Sequence, residues 1–345
     1  MTSPLTGGRE RRPSRGRLGA IAAALVVLAV AAAGVAFVFL KPGRDLAWRL
    51  DNPTVATAGR PSPPPVPGPG RRDPPIPAVT IPPENSVRPR LGDSPRAGML
   101  FDLDKGEALW SRRPLDVVPI ASLAKIMSAL IVVDRTSARE KAKVTRTALR
   151  YSGSGVGVLP RGRRVPVEAL LHGMMLVSGN DATIALADHV AGSERAFVRL
   201  MNRRARKLGL RCTHFRSAYG LEGGDRSCAA DLAALTRLAL EEPRIARVVR
   251  KREAAIRFPI AGGKLFLNST NPLLRLRYKG TIGLKTGYTE RAGRTYVGVV
   301  RRRGRTLGVV LLDSRDTGRQ AMRIFDTAFG GARGRPRRVR SAGRG

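Results

Sequence analysis

A chain of 345 residues, 42% of them hydrophobic, can hold one or two domains with a sizeable core. Its formal net charge of +37 raises nucleic acid, phospholipid or an acidic polymer as partners. The basic residues are dispersed, however, and no helix-turn-helix, zinc-finger or aromatic single-strand-binding pattern accompanies them. No nucleic-acid partner is therefore expected. His172, His189 and His214 lack metal-ligand spacing, so neither a metal nor another cofactor is expected. Cys212 and Cys228 are the only cysteines, with fifteen residues between them. In an exported domain they could remain buried thiols or close a disulfide worth about 3 kcal/mol; the exported setting favours the bridge.

Residues 1–17 are polar and basic, with Arg9, Arg11, Arg12, Arg15 and Arg17. Residues 18–40, Leu18 to Leu40, carry no charge. About 20 apolar residues span a bilayer as a helix, whereas the apolar part of a cleavable signal is only about 7–15 residues long. An anchor is expected, the arginines holding the N-terminus in the cytoplasm and the bulk of the chain outside. The small residues Ala31-Ala32-Ala33-Gly34 leave cleavage open. Residues 41–95 are proline-rich from Asn52 onward and predict an extended, semi-rigid spacer.

Residues 96–330 predict the globular unit. Ala97–Asp102 and Glu107–Arg112 flank Leu103-Asp104-Lys105-Gly106, a hairpin turn. Apolar spacing predicts helices over Ile120–Val133, Val167–Met175, Ala182–Val190, Arg195–Leu208 and Ala229–Leu240. Strands follow at Ile282–Lys285, Arg294–Val300 and Thr306–Leu312, then a closing helix over Thr317–Phe329. Strands at both ends around a helical middle predict an α/β (α+β) fold. Its terminal strands lie side by side in one sheet, with a helical subdomain inserted between them. Residues 331–345 form a Gly/Arg-rich basic tail, expected to be disordered.

Three short motifs carry chemistry. Ser122-Leu-Ala-Lys125 opens the strongest amphipathic helix, and a spacing of three puts hydroxyl and amine on one face. The helix N-terminus offers donors for an oxyanion beside them, though Ser122 could equally be a cap. Ser178-Gly179-Asn180 lies between two helices, where serine and amide can face a cleft; Asn180 or Asp181 could equally cap the next helix. Lys285-Thr286-Gly287, followed by Tyr288, ends a strand whose edge can pair with an extended peptide while the lysine and hydroxyl reach its carboxylate. Each motif alone is weak. In this order they form the triplet of penicillin-binding proteins and class A β-lactamases.

The flanks extend the match over Arg96–Asp313. Pro119-Ile-Ala-Ser-Leu-Ala-Lys-Ile-Met127, Leu170-Leu-His-Gly-Met-Met-Leu-Val-Ser-Gly-Asn-Asp-Ala182, Thr213-His-Phe215, Gly220-Leu221 and Gly283-Leu-Lys-Thr-Gly-Tyr-Thr289 carry it. On these stretches the chain resembles the D-alanyl-D-alanine carboxypeptidases, the low-molecular-weight penicillin-binding proteins. The resemblance implies a β-lactamase/transpeptidase-like architecture with an antiparallel sheet flanked by helices. It also implies removal of the terminal D-alanine from peptidoglycan stem peptides, with β-lactam antibiotics as covalent inhibitors. Ser122 would be the nucleophile and Lys125 its base, kept uncharged by burial and by Lys285. Ser178 would relay a proton and Asn180 would orient the peptide and Lys125. Lys285, Thr286, Gly287 and Tyr288 would bind substrate, the Ser122 and Tyr288 N–H groups holding the oxyanion. Asn271 receives no role. The family often adds a C-terminal β-domain and an amphipathic anchor; here the chain stops soon after the core, and the N-terminal span would replace that anchor. Tyr288 stands where some relatives carry His.

A class A β-lactamase would also need a Glu four residues before an Asn to activate the deacylating water. Beyond Asn202 the asparagines are Asn268 and Asn271, preceded at that spacing by Lys264 and Leu267. Endopeptidase or transpeptidase action uses the same residues. A non-catalytic wall-binding module would be expected to have lost one of these side chains, yet all are present. The run at Gly153 lacks a preceding strand and is no nucleotide loop. The positive charge could also concentrate the protein on anionic wall polymers.

Overall fold

The computed structural model describes residues 78–330, apart from Glu222. The basic start, the anchor, the first part of the spacer and the basic tail fall on residues 1–77 and 331–345, outside the described residues. Among the described residues, no helix is long and apolar enough to cross a membrane.

Five antiparallel strands make the central sheet: β1 (Ala97–Asp102), β2 (Glu107–Arg112), β3 (Thr281–Thr289), β4 (Gly293–Arg302) and β5 (Arg305–Leu312), in the order β2-β1-β5-β4-β3. The first lies beside the last, Ala97 opposite Leu312 and Asp102 opposite Leu307, as the sequence predicts. The β1–β2 turn forms where expected because Asp102 Oδ1 accepts the N–H groups of Asp104 and Lys105, each at 3.1 Å.

Between β2 and β3 runs the helical insertion: α1 (Lys125–Arg135), α2 (Val167–Leu176), α3 (Asn180–Ala191), α4 (Glu194–Lys207), α5 (Ala229–Glu241) and α6 (Pro243–Val249); α7 (Thr317–Ala328) follows β5. The sheet is covered on both faces. Met99, Phe101, Val310 and Leu312 point into a core shared with the inserted helices, while Leu100, Val309 and Leu311 meet Ala321, Ile324 and Phe325 of α7. Adjacent strand positions thus serve opposite cores, which is why β5 reads as nearly continuous apolar sequence rather than an alternation. The innermost helix is α1, buried at every position from Lys125 to Val132. Each fully buried Leu, Ile, Val or Met side chain there contributes about 1.5–3 kcal/mol.

Three local features depart from the sequence reading. Residues within the stretch read as spacer pack on the sheet: Val79 is buried, Thr80 bridges to Glu107, and Val87 N–H donates to the Leu109 carbonyl at 2.9 Å. They cover the outer edge of β2, which would otherwise expose unpaired backbone groups. Second, the predicted helix over Ile120–Val133 divides. Ala121–Ala124 is a 3₁₀ turn and the α-helix starts at Lys125, because Ala121 adopts a positive φ of 49°. Third, the run at Gly153, to which the sequence assigns no role, is bonded to Asn180 and Asp181. Cys212 and Cys228 are joined by a disulfide with Cα atoms 5.5 Å apart.

Candidate active site

Ser122 sits half-buried in the 3₁₀ turn, and Lys125, wholly buried, opens α1. Ser122 does not cap α1; the N-cap position is Ala124, with no side-chain bond. The positive φ at Ala121 turns the chain just before Ser122. A non-glycine residue in that region costs about 1–3 kcal/mol, and such outliers gather at functional sites.

Three oxygens surround Lys125 Nζ: Ser122 Oγ at 2.9 Å, Asn180 Oδ1 at 2.7 Å and the Tyr219 carbonyl at 2.8 Å. Asn180 is oriented without ambiguity, since its Nδ2 donates to the Ser152 carbonyl at 2.6 Å and its oxygen therefore faces the lysine. Two of the three neighbours are thus carbonyl oxygens, which can only accept. A neutral amine has two N–H bonds and one lone pair. It would satisfy both carbonyls and turn its lone pair to the Ser122 hydroxyl, whereas an ammonium would donate to all three oxygens. Burial holds the Lys125 pKa well below its usual range and Lys285 lowers it further, against the opposing pull of Asp225 and Asp181.

Ser178, buried, lies between α2 and α3 with a φ of 62°, a second strained position after Ala121. The residue before α3 is Gly179, with no side-chain cap, so Asn180 is released from the capping role and faces Lys125. The run at Gly153 holds this loop from behind. Asn180 N–H donates to the Ser154 carbonyl at 2.8 Å, and the Asp181 carboxylate accepts the N–H groups of Val156 and Gly157, both at 2.9 Å.

Strand β3 closes the third side. It is a sheet edge, and it brings Lys285 to a buried position where Nζ donates to the Thr286 carbonyl at 2.8 Å. Burial pushes the Lys285 pKa down to about 7. Gly287 packs against the Ser122 turn so closely that a Cβ there would lie 2.9 Å from the Ser122 amide nitrogen. Thr295 of β4 donates to the Ile120 carbonyl at 3.0 Å, pinning the sheet to the same turn. Thr270 links β3 to the Ser178 side. Its hydroxyl is 2.7 Å from that of Thr286, and its N–H donates to the Leu176 carbonyl at 2.9 Å. Tyr288 is 63% exposed, with Arg294 over its ring. Asn271 has a structural part: Oδ1 accepts the Leu273 N–H and the Tyr296 hydroxyl.

Of the eight sequence-predicted residues, the structure joins Ser122, Lys125 and Asn180 by hydrogen bonds and packs Gly287 of the Lys285–Tyr288 stretch on the Ser122 turn, while Ser178 lies two residues before Asn180. The sequence reading missed Tyr219, Asp181, Asp225, Thr270 and the loop before Gly157. The one local signal for Tyr219 is its neighbour Gly220, with a φ of 88° and a missing Cβ that would come 1.9 Å from the Ala121 carbonyl. Only glycine fits there. For metal binding, the group formed by Cys212, Cys228 and Asp231 has both sulfurs in the disulfide, leaving a single carboxylate.

Serine, a buried lysine of lowered pKa and an edge strand define a serine hydrolase built on the penicillin-binding fold. The chain belongs to the D-alanyl-D-alanine carboxypeptidase family, peptidase S11, whose profile matches residues 91–316. It is 35% identical over 217 residues to the D-alanyl-D-alanine carboxypeptidase DacB2 of Mycobacterium tuberculosis, covering 62% of this chain and 73% of that one. With DacF of Bacillus subtilis it shares 32% identity over 208 residues, 59% of this chain and 53% of the relative. The solved D-alanyl-D-alanine carboxypeptidase of M. tuberculosis H37Rv superposes with a TM-score of 0.65 at 32% identity, over 71% of this chain and 96% of that chain. The Streptomyces K15 DD-transpeptidase superposes with a TM-score of 0.64 at 26% identity, over 70% of this chain and 99% of that chain.

Proposed function

We propose that this protein removes the terminal D-alanine from peptidoglycan pentapeptides through an acyl-enzyme on Ser122. The observation that carries the reading is the wholly buried Lys125 amine 2.9 Å from Ser122 Oγ, its pKa held down by burial and by Lys285. Lys125 takes the hydroxyl proton as Ser122 Oγ attacks the carbonyl between the two D-alanines. Ser178 relays that proton from Lys125 to the leaving amine, D-alanine departs with it, and water then hydrolyses the ester and restores the Ser122 hydroxyl. The substrate pairs with the edge of β3, its carboxylate against Lys285 and Thr286, which in turn favours the charged form of Lys285. The Ser122 and Tyr288 N–H groups receive the oxyanion, each donor of this type being worth about 3–4 kcal/mol. β-Lactams enter the same path and stop at the acyl-enzyme.

Product analysis tests this. The full chain in detergent should release D-alanine from a soluble pentapeptide and stay acylated by penicillin. Cleavage of cross-links without D-alanine release would point to an endopeptidase, and rapid repeated penicillin hydrolysis to a β-lactamase. Binding to wall polymers without either reaction would leave a non-catalytic module.

For location, residues 18–40 anchor the chain, residues 1–17 stay in the cytoplasm and the catalytic unit stands outside on its spacer. The full chain should then remain in the membrane pellet through a high-salt wash, and protease added outside whole cells stripped of wall should remove residues 96–330. Release by salt alone would replace the anchor with charge attraction, which salt screens.

A further inference from the structure

Asp225 is a buried acid, 1% exposed, that none of the steps above uses. Its Oδ1 accepts the N–H groups of Arg216 at 3.0 Å and Ser217 at 3.1 Å, and its Oδ2 accepts the Ser217 hydroxyl at 2.8 Å. Ser217 Oγ in turn accepts the Gly220 N–H at 2.7 Å. These bonds close residues 216–220 into a turn, and inside it sits Tyr219, whose carbonyl holds Lys125 Nζ. On the opposite side, the Asp225 carbonyl accepts the Ile120 N–H at 3.2 Å, just before the Ser122 turn. One residue thus ties the acceptor of the lysine and the turn of the nucleophile to a common point.

We propose that Asp225 is a positioning residue for acyl transfer, holding the Tyr219 carbonyl on Lys125 and, through its negative charge, setting the pH at which Lys125 becomes a free base. The inference rests on the reading of Lys125 as the base.

The charged groups that act on Lys125 come from three directions: Lys285 on β3, Asp181 on α3 and Asp225 on the loop before α5. Burial and Lys285 drive the amine towards neutrality, and the two carboxylates oppose them. Asp181 is engaged by the N–H groups of Val156, Gly157 and Ala182, a structural duty of its own. The opposition is useful, because a base pushed too far down is neutral but weak, and general-base catalysis works best with a pKa near the working pH. Burial raises the pKa of Asp225 itself, while its hydrogen-bond donors and Lys125 favour the anion.

The test is the pH profile of the second-order rate of acylation by a fluorescent penicillin. Protonated Lys125 cannot accept the serine proton, so the rate falls on the acid side as the amine becomes charged. Asp225→Asn keeps the size and an acceptor for the turn but removes the charge. Without the anion the ammonium is less stabilised, the Lys125 pKa drops, and the acidic limb moves to lower pH with a lower plateau rate. Ser217→Ala keeps the charge and breaks the closure of the turn; the plateau should fall while the limb stays in place. Asp231→Asn is the control. Its carboxylate accepts Cys212 N–H and the Thr213 hydroxyl at the edge of the same loop, and its limb should match wild type.

A folded Asp225→Asn protein with the wild-type limb overturns the proposal. Should that variant fail to fold, Ser217→Ala decides, and a plateau equal to wild type overturns it. A wild-type protein that penicillin never acylates would instead overturn the Ser122–Lys125 reading.

Discussion

Ser122→Ala should give a folded protein that labelled penicillin cannot acylate and that releases no D-alanine. Ser122 Oγ is the hydroxyl that Lys125 Nζ reaches, at 2.9 Å. Loss of a serine nucleophile lowers turnover on the order of 10⁶-fold, which places any residue of activity below detection in a labelling assay. Stability should change little. Ser122 is only half-buried, and Lys125 keeps the Asn180 and Tyr219 oxygens as partners, so the lost bond is worth about 1 kcal/mol. Labelling of the purified variant, read beside its melting curve, separates a chemical loss from a folding loss. A label that persists on the alanine variant, or that mass spectrometry finds on another side chain, removes Ser122 from the mechanism.

Lys125→Met should lower the acylation rate by about 10²–10⁴-fold, the range for loss of a positioned general base. Methionine fills a similar volume without a charge, so the site keeps its packing and loses its proton acceptor. Two oxygens, Asn180 Oδ1 and the Tyr219 carbonyl, also lose a donor in a buried place. An unsatisfied buried acceptor costs about 1–3 kcal/mol, so the variant should melt earlier while still melting cooperatively. Comparing rates well below both melting temperatures keeps that effect out of the kinetics. The pH profile adds a sharper criterion. Wild-type acylation should rise with pH through the lowered Lys125 pKa, because only the neutral amine accepts the serine proton; the methionine variant should lack that limb. A variant with the wild-type rate and limb would transfer the role of base elsewhere.

Read from the sequence alone, the local elements came out within a few residues of their observed ends. The β1–β2 hairpin, α2, α4, α5 and the strands β3 to β5 follow from apolar spacing and turn residues, which act over one or two turns of chain. Pairing of the first strand with the last was legible too, because strands at both ends with helices between leave few ways to build one sheet. The candidate side chains were legible as a set, since Ser122 with Lys125, Ser178 with Asn180 and Lys285 with Thr286 are each fixed by short spacing. What long-range packing decided is how those sets become chemistry. Residues 78–95 cover a sheet edge although their prolines read as spacer, and the positive φ at Ala121 replaces an α-helical first turn with a 3₁₀ turn. The oxygens that orient Lys125 and Asn180 include main-chain carbonyls of Tyr219 and Ser152, 94 and 28 residues away from the side chains they bind. Every residue carries such a carbonyl, so composition and spacing leave no mark of which one is used; only the folded chain selects it, by bringing distant turns into contact.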